Sequence, residues 1–388
     1  MKPFSFLLFV IFCPITFSQF TTLTNELSKS SIKFTSKLYR EVAKINSSNF
    51  LISPLSLKIT LGMITSAARG KTYKEIIRVL HVNNELEIVT LIQNLSSSTF
   101  VKDTSLISAN KIYISNSFKI SSNYLANVKD NFKSQIQLIS FTNTKKAVEE
   151  MNKWIETKTK KKIKDIVSPD DFDSSTVSVL LNVLYFHDKW LLQFNKENTE
   201  TLPFYVNPTT SIPVDMMKAN ISVGTSDDTN LKIRILRLPY ANEDIAMHLV
   251  ISEHIDGIHL LEKNIKEILS TTVDAETIKE VQIPKFAINS SHNLIPVLEK
   301  MGMQHAFGKD ADFSGMLDPE TRLVQINLLK QSTLIEVDEK GTVAAAVTQL
   351  QGKYRSNLVY PKFVVDRPFI FYIQYKSEVL FIGRCYSP

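Results

Sequence analysis

Apolar residues in the first third of the chain recur with a helical period. Leu27, Phe34, Leu38 and Val42 are spaced by seven, four and four, which sets them on one face of a helix. Ser53-Pro54 opens a second helix, with Ser as the cap and Pro at the first position, where its missing N-H costs nothing. Val148, Met151 and Ile155 mark a third helix, which runs into the basic stretch Lys158 to Lys164. The texture then changes to β-branched and aromatic runs: Val177 to Phe186, Ile245 to Ile251 and Phe369 to Tyr375. An apolar run without alternation suits a strand covered on both faces. The pattern predicts an α+β fold with helices concentrated early and strands late.

Two further features bear on sheet structure. No proline falls between Pro319 and Pro361, so every residue of that segment keeps its backbone donor and none is barred from a sheet interior. Within it, the run from Glu339 reads EKGTVAAAVTQLQGKYRSNLVYP. Thr342 could cap a helix made by VAAAVTQL. Propensity alone favours that helix, yet a period of two is also clean: Thr342, Ala344, Ala346, Thr348, Leu350 and Gly352 line one face with small or apolar side chains. Both readings stay open on local grounds.

The composition, 388 residues with 44% hydrophobic and 22% charged, is that of a globular protein and excludes a disordered or collagen-like chain. With no linker-like stretch and no repeat, the expectation is one domain from Gln19 to Pro388. Met1 to Ser18 has a basic residue, a short apolar run and a small residue at its end, so it is expected to be a secretory signal peptide cut after Ser18. The apolar run is too short to span a bilayer. The expected product is secreted, with Cys13 removed and Cys385 left as an unpaired thiol. Sequons at Asn46, Asn94, Asn220 and Asn289 can then carry sugar where exposed. The formal charge of +6 permits attraction to polyanions without demanding it.

The chain carries no GxSxG, no Gly-rich phosphate loop, no HExxH and no CxxC. His254 and His259 are five apart, which is not the spacing of a helical metal pair. No catalytic residue, metal site or cofactor is expected. Lys158, Lys160, Lys161, Lys162 and Lys164 form the densest charge run. They read either as a patch for a heparin-like glycan or as a solvated helix end that complements the helix dipole.

Five long blocks, in order, resemble one family. LISPLSLKITLGMITSAARGKTYKEI stands near the start and LLNVLYFHDKWLLQFNKENTETLPFY in the middle. IPKFAINSSHNLIPVLEKMGMQHAFGKDADFSGM, IEVDEKGTVAAAVTQ and DRPFIFYIQYKSEVLFIGRCYSP follow. By these blocks the chain is similar to the serpins over nearly all of Gln19 to Pro388. The resemblance implies a serpin fold of three β-sheets and eight or nine helices, with an exposed reactive-centre loop at about 341–361. It implies a non-enzyme: a secreted, monomeric suicide inhibitor whose partner is a trypsin-like serine protease, with no nucleic acid or membrane partner. The protease forms an acyl-enzyme on the loop, and the severed loop enters the central sheet as a new strand, a transition long used as an example of strand addition. The alternative is a non-inhibitory carrier, storage protein or chaperone.

The resemblance also assigns residues. Counting sixteen on from the hinge residue Glu339 gives Arg355, so the reactive bond is Arg355-Ser356; Lys353 and Tyr354 are the register alternatives. A guanidinium at that position suits the carboxylate of a trypsin-like pocket. Gly341, Thr342, Ala344, Ala345 and Ala346 form the hinge and bring neither charge nor bulk. Ser53, Ser56 and Asn182 match positions that control sheet opening. Trp190, Lys285 and Glu339 match the region where insertion begins, with a Lys285 to Glu339 ion pair expected. Gln331 stands where the family often has His, which keeps hydrogen bonding but removes titration.

Overall fold

The predicted N-terminal helix forms as α1 (Phe17–Ile45), and Leu27, Phe34, Leu38 and Val42 are all buried along it. The structure, a computed structural model, describes residues 17–96, 106–273, 276–318, 324–341 and 359–388. Helix α2 (Pro54–Thr65) starts as its sequence requires: the Ser53 hydroxyl accepts from Ser56 N at 3.3 Å, and Pro54 takes the first turn. Helices α3 (Gly70–Leu80), α4 (Glu85–Ser96) and α5 (Ser122–Phe132) follow. Helix α6 (Thr144–Lys158) buries Val148, Met151 and Ile155 on one face and ends at the lysine run.

The strand runs read from sequence appear as β4 (Ser178–Phe186), β8 (Ile245–Ser252) and β13 (Phe369–Tyr375). Every residue of β4 is buried, which its unalternating apolar character demands. The separation into early helices and late strands is incomplete. Strands β2 (Leu106–Ser115) and β3 (Gln135–Ile139) lie early, and α7 (Ile258–Lys263), α8 (Ile265–Ser270) and α9 (Ile295–Met301) lie late. Helices of two turns are too short for a 3.6-residue period to stand out.

Two hydrogen-bonded arrays result. One is a five-stranded sheet in the order β10 (Phe286–Asn293), β11 (Leu328–Val337), β4, β2, β3. The other runs β1 (Phe50–Ile52), β14 (Glu378–Cys385), β13, β8, β7 (Ile233–Pro239), β6 (Thr210–Asp228), β9 (Glu276–Pro284), β12 (Lys362–Val364), with β5 (Glu200–Asn207) also on β6. Strand β6 changes partners at Gly224, pairing β9 before it and β7 after it. It thus divides this array into two sheets, and the fold has three sheets and, among the described residues, nine α-helices.

Cys385 is the cysteine among the described residues; it is fully buried, and burial pushes its thiol pKa up, so it is held as a neutral core group. Among the described residues no helix is long and apolar enough to cross a membrane, and no cluster of His, Cys, Asp and Glu could hold a metal. His254 and His259 both lie exposed.

Candidate functional site: a seam in the five-stranded sheet

Strands β4 and β11 are the parallel neighbours at the middle of the five-stranded sheet, in register from Leu328 opposite Val179 to Ile335 opposite Phe186. Both therefore end at the same pole. The chain leaves β11 there through Asp338 to Gly341, and the next described strand, β12, lies on another sheet. A segment folding back from Gly341 between the two strands would run antiparallel to both. That is a simple hairpin return with no crossover.

The turn that begins this path is held by β4's own continuation. Trp190 Nε1 donates to Asp338 O at 2.9 Å, and Phe194 N donates to Glu339 O at 2.9 Å. Gly341 has φ +76°, and a Cβ there would strike the Trp190 and Asp188 backbone, so the position needs glycine twice over. Trp190 is itself fixed by stacking on Tyr240, with ring centroids 4.5 Å apart. Glu339 is buried. Its carboxylate accepts from Thr199 Oγ1 at 2.8 Å and lies 3.2 Å from Lys285 Nζ. Burial opposes its ionised form, but the backbone, Thr199 and Lys285 outweigh that and hold its pKa below the usual carboxylate value.

Deeper along the seam, alternation sends Gln331 of β11 and Asn182 of β4 to the core side as direct register partners. Gln331 Nε2 donates to Asn182 Oδ1 at 2.6 Å and to Ser53 O at 3.0 Å, while its Oε1 accepts from Ser53 N at 2.8 Å. Asn182 Nδ2 in turn donates to the Ser56 hydroxyl and to Asn110 Oδ1. Thr60 completes the group with a bond to Asn110 at 3.1 Å. The Ser53 hydroxyl donates to Leu380 O at 2.6 Å. One uncharged network thus joins the two seam strands to the start of α2. With Gln at 331 it makes these bonds with a neutral group at every pH.

Asn182→Ala tests what the network contributes. It removes the group that links β4 to β11 and α2 and leaves buried donors and acceptors short of partners. The uncleaved protein is expected to lose about 2 to 4 kcal/mol, measured as a lower denaturation midpoint in urea. An unchanged midpoint would show that the network adds nothing to closure of the seam.

The structure therefore brings Ser53, Ser56, Asn182 and Gln331 into one cluster, and Trp190, Lys285, Glu339 and Gly341 into another at the pole. Asn110, Thr60 and Thr199 also belong to these clusters, and the sequence assigns them no role there. Asn110 is the register partner of Asn182 across β2 and β4, a relation that exists only once the strands pair. Thr342, Ala344, Ala345, Ala346, Arg355 and Ser356 lie outside the described residues, as do Met1 to Thr16 of the expected signal peptide. Of the sequons, Asn220 and Asn289 are exposed on β6 and β10, Asn46 is half-buried after α1, and Asn94 falls in α4. Lys158, Lys160, Lys161, Lys162 and Lys164 are all exposed at the end of α6 and just beyond it.

A three-sheet fold with a parallel central seam, a polar network across it and a glycine turn at its pole is the architecture of one protein family. The family profile for the serpins (serine protease inhibitors) matches residues 29–388, and the chain belongs to this family. It is 31% identical to neuroserpin of Gallus gallus over 88% of this chain and 86% of that one. Among solved structures it is similar to Serpin48, a highly specific serpin of the insect Tenebrio molitor, at 31% identity and a TM-score of 0.87, covering 94% of this chain and 98% of that one. It also resembles native protease nexin-1, crystallised with heparin, at 25% identity and a TM-score of 0.81 over 94% and 100% of the two chains.

Proposed function

We propose that the protein is a secreted suicide inhibitor of trypsin-like serine proteases. The observation that carries this reading is the hinge: Glu339 and Gly341 stand at the pole of the β4 to β11 seam, and the sequence that follows, Thr342 to Ala346, is small and uncharged. The protease attacks the bond after Arg355, its serine becomes acylated, and the freed segment folds back from Gly341 between β4 and β11. From Thr342 to Arg355 the segment reaches roughly 46 Å at ~3.3 Å per strand residue, enough to carry the acylated protease along the whole seam. The protein acts as a monomer and uses no cofactor. Family members differ in whether they inhibit, and a charged or bulky hinge would favour the carrier or storage alternative. This hinge is neither.

Mixing the protein with trypsin and separating the products under denaturing conditions tests the reading. The expected outcome is a band at the summed mass that survives SDS. Clean cleavage after Arg355 without such a band would make the protein a substrate. Cleavage after Lys353 or Tyr354 instead would move the reactive bond. Secretion predicts a mature chain beginning at Gln19 and sugar on the exposed sequons Asn220 and Asn289. A heparin-like glycan is a further proposed partner, through the lysine run.

A further inference from the structure

The seam is also fastened on its outer face, by contacts that the core network does not include. Odd-numbered residues of β4 and even-numbered residues of β11 point away from the Gln331 network and toward α6. There the connector that follows α6 crosses over the sheet, burying Ile163 and Val167 against Val179, Leu181, Tyr185 and Leu334. Two ion pairs pin it to β11. Lys162 Nζ lies 2.9 Å from Glu336, and Lys330 Nζ lies 2.6 Å from Asp171, a pair that is mostly buried. Glu336 also accepts from Tyr185 Oη of β4 at 2.9 Å, a diagonal contact across the seam, since Tyr185 lies opposite Leu334. Moving β11 away from β4 by the width of one strand, about 4.8 Å, would break all three contacts.

Lys162 belongs to two structures at once. It holds Glu336, and it is a member of the exposed run with Lys158, Lys160, Lys161 and Lys164. Its ion pair is open to solvent, with the lysine 44% and the glutamate 38% exposed, so a competing anion can displace the carboxylate. The run itself contains no aromatic residue, and the ring that Lys162 lies over, Tyr185, is buried and closed to a nucleobase, so these clustered point charges suit sulfate groups better than a nucleic acid.

We propose that a sulfated glycan bound along Lys158 to Lys164 takes Lys162 from Glu336 and so loosens the outer fastening of the β4 to β11 seam. This makes the glycan an effector of sheet opening, and its bearing on inhibition rests on the loop-insertion reading above. Because coupling is reciprocal, whatever frees Lys162 must also strengthen glycan binding.

The test uses the full mature protein and a heparin dodecasaccharide at physiological salt. Glu336→Gln frees Lys162 and should tighten dodecasaccharide binding about two- to fivefold, the range for a solvent-exposed ion pair. Hydrogen exchange at the β4 and β11 amides should quicken when wild-type protein is saturated with the glycan. Lys162→Gln should show the same quickening without glycan, and added glycan should change it no further. No binding, equal affinity of wild type and E336Q, or seam exchange indifferent to the glycan would each overturn the proposal. A DNA oligonucleotide of matched charge that binds as tightly would overturn the assignment to a glycan. None of these readouts needs a protease: failure to trap trypsin with the coupling intact sinks only the inhibitor reading, whereas trapping without the coupling sinks only this one.

Discussion

Cleavage of the bond after Arg355 is expected to make the protein more stable, raising its thermal midpoint by roughly 10 °C or more. Cutting a chain ordinarily loosens a fold, so the sign alone is informative. In the uncut protein β4 and β11 already pair, and no described strand lies between them. Inserting a strand of about fourteen residues converts one ladder into two, and each added hydrogen bond contributes a net ~0.5 to 1.5 kcal/mol, which gives on the order of 10 kcal/mol. The unfolding entropy of a chain this long, at ~2.1 cal/mol/K per residue, converts that into a shift of roughly 10 °C or more. The core network and the outer ion pairs oppose opening but are broken only once, so they set the barrier more than the final balance. Calorimetry of the protein before and after limited proteolysis checks this. An unchanged or lower midpoint after the cut would remove the driving force on which trapping depends.

What the sequence disclosed divides along a physical line. Local rules found the elements: the Ser53 cap with Pro54 and the face formed by Leu27, Phe34, Leu38 and Val42 appear as read, and the run Val177 to Phe186 forms a buried strand that starts one residue later, at Ser178. The site was legible only through resemblance, because its members meet by strand pairing across long separations. Asn182 did carry one local signal: it is the single amide side chain in the run VLLNVLYF, and a buried amide needs partners. Nothing local could have said that those partners include Asn110, Ser56 and Gln331. The lysine run shows the same limit. All five residues lie on the surface, as a solvated helix end requires, yet the partner of Lys162 is a strand residue far along the chain. The conflict between helix and strand in Thr342 to Leu350 has a physical meaning of its own under the insertion reading. A segment that must serve in two environments cannot commit strongly to either, and alanine with β-branched neighbours is compatible with both.

Replacing Thr342 with Arg is expected to turn the inhibitor into a substrate, raising the moles of protein consumed per mole of trypsin at least tenfold. Trapping is a race between insertion and hydrolysis of the acyl-enzyme, both starting from the same intermediate. Under the insertion reading the segment enters from Gly341, which is packed against the backbone of Asp188 and Trp190, so the residue after the glycine is the first whose side chain must enter the seam. Threonine passes with one hydroxyl to satisfy. A guanidinium must shed its water to enter the seam, and the carboxylates around the turn already have partners: Glu339 is engaged by Lys285 and Thr199, Asp338 by the Lys340 N-H and Asp188 by the Lys189 N-H. Burying an unpaired charge costs several kcal/mol, and each ~1.4 kcal/mol that reaches the insertion barrier slows the step tenfold. Hydrolysis of the acyl-enzyme occurs in the protease and is untouched, so the partition tips toward release. Attack on Arg355 should proceed at its former rate, since the scissile residue and its neighbours are unchanged. The denaturing gel should therefore lose the SDS-stable band and gain cleaved protein, with trypsin activity recovering, while Thr342→Ser should trap as wild type does. If the arginine variant still traps trypsin one for one, the chain does not enter the sheet at this hinge.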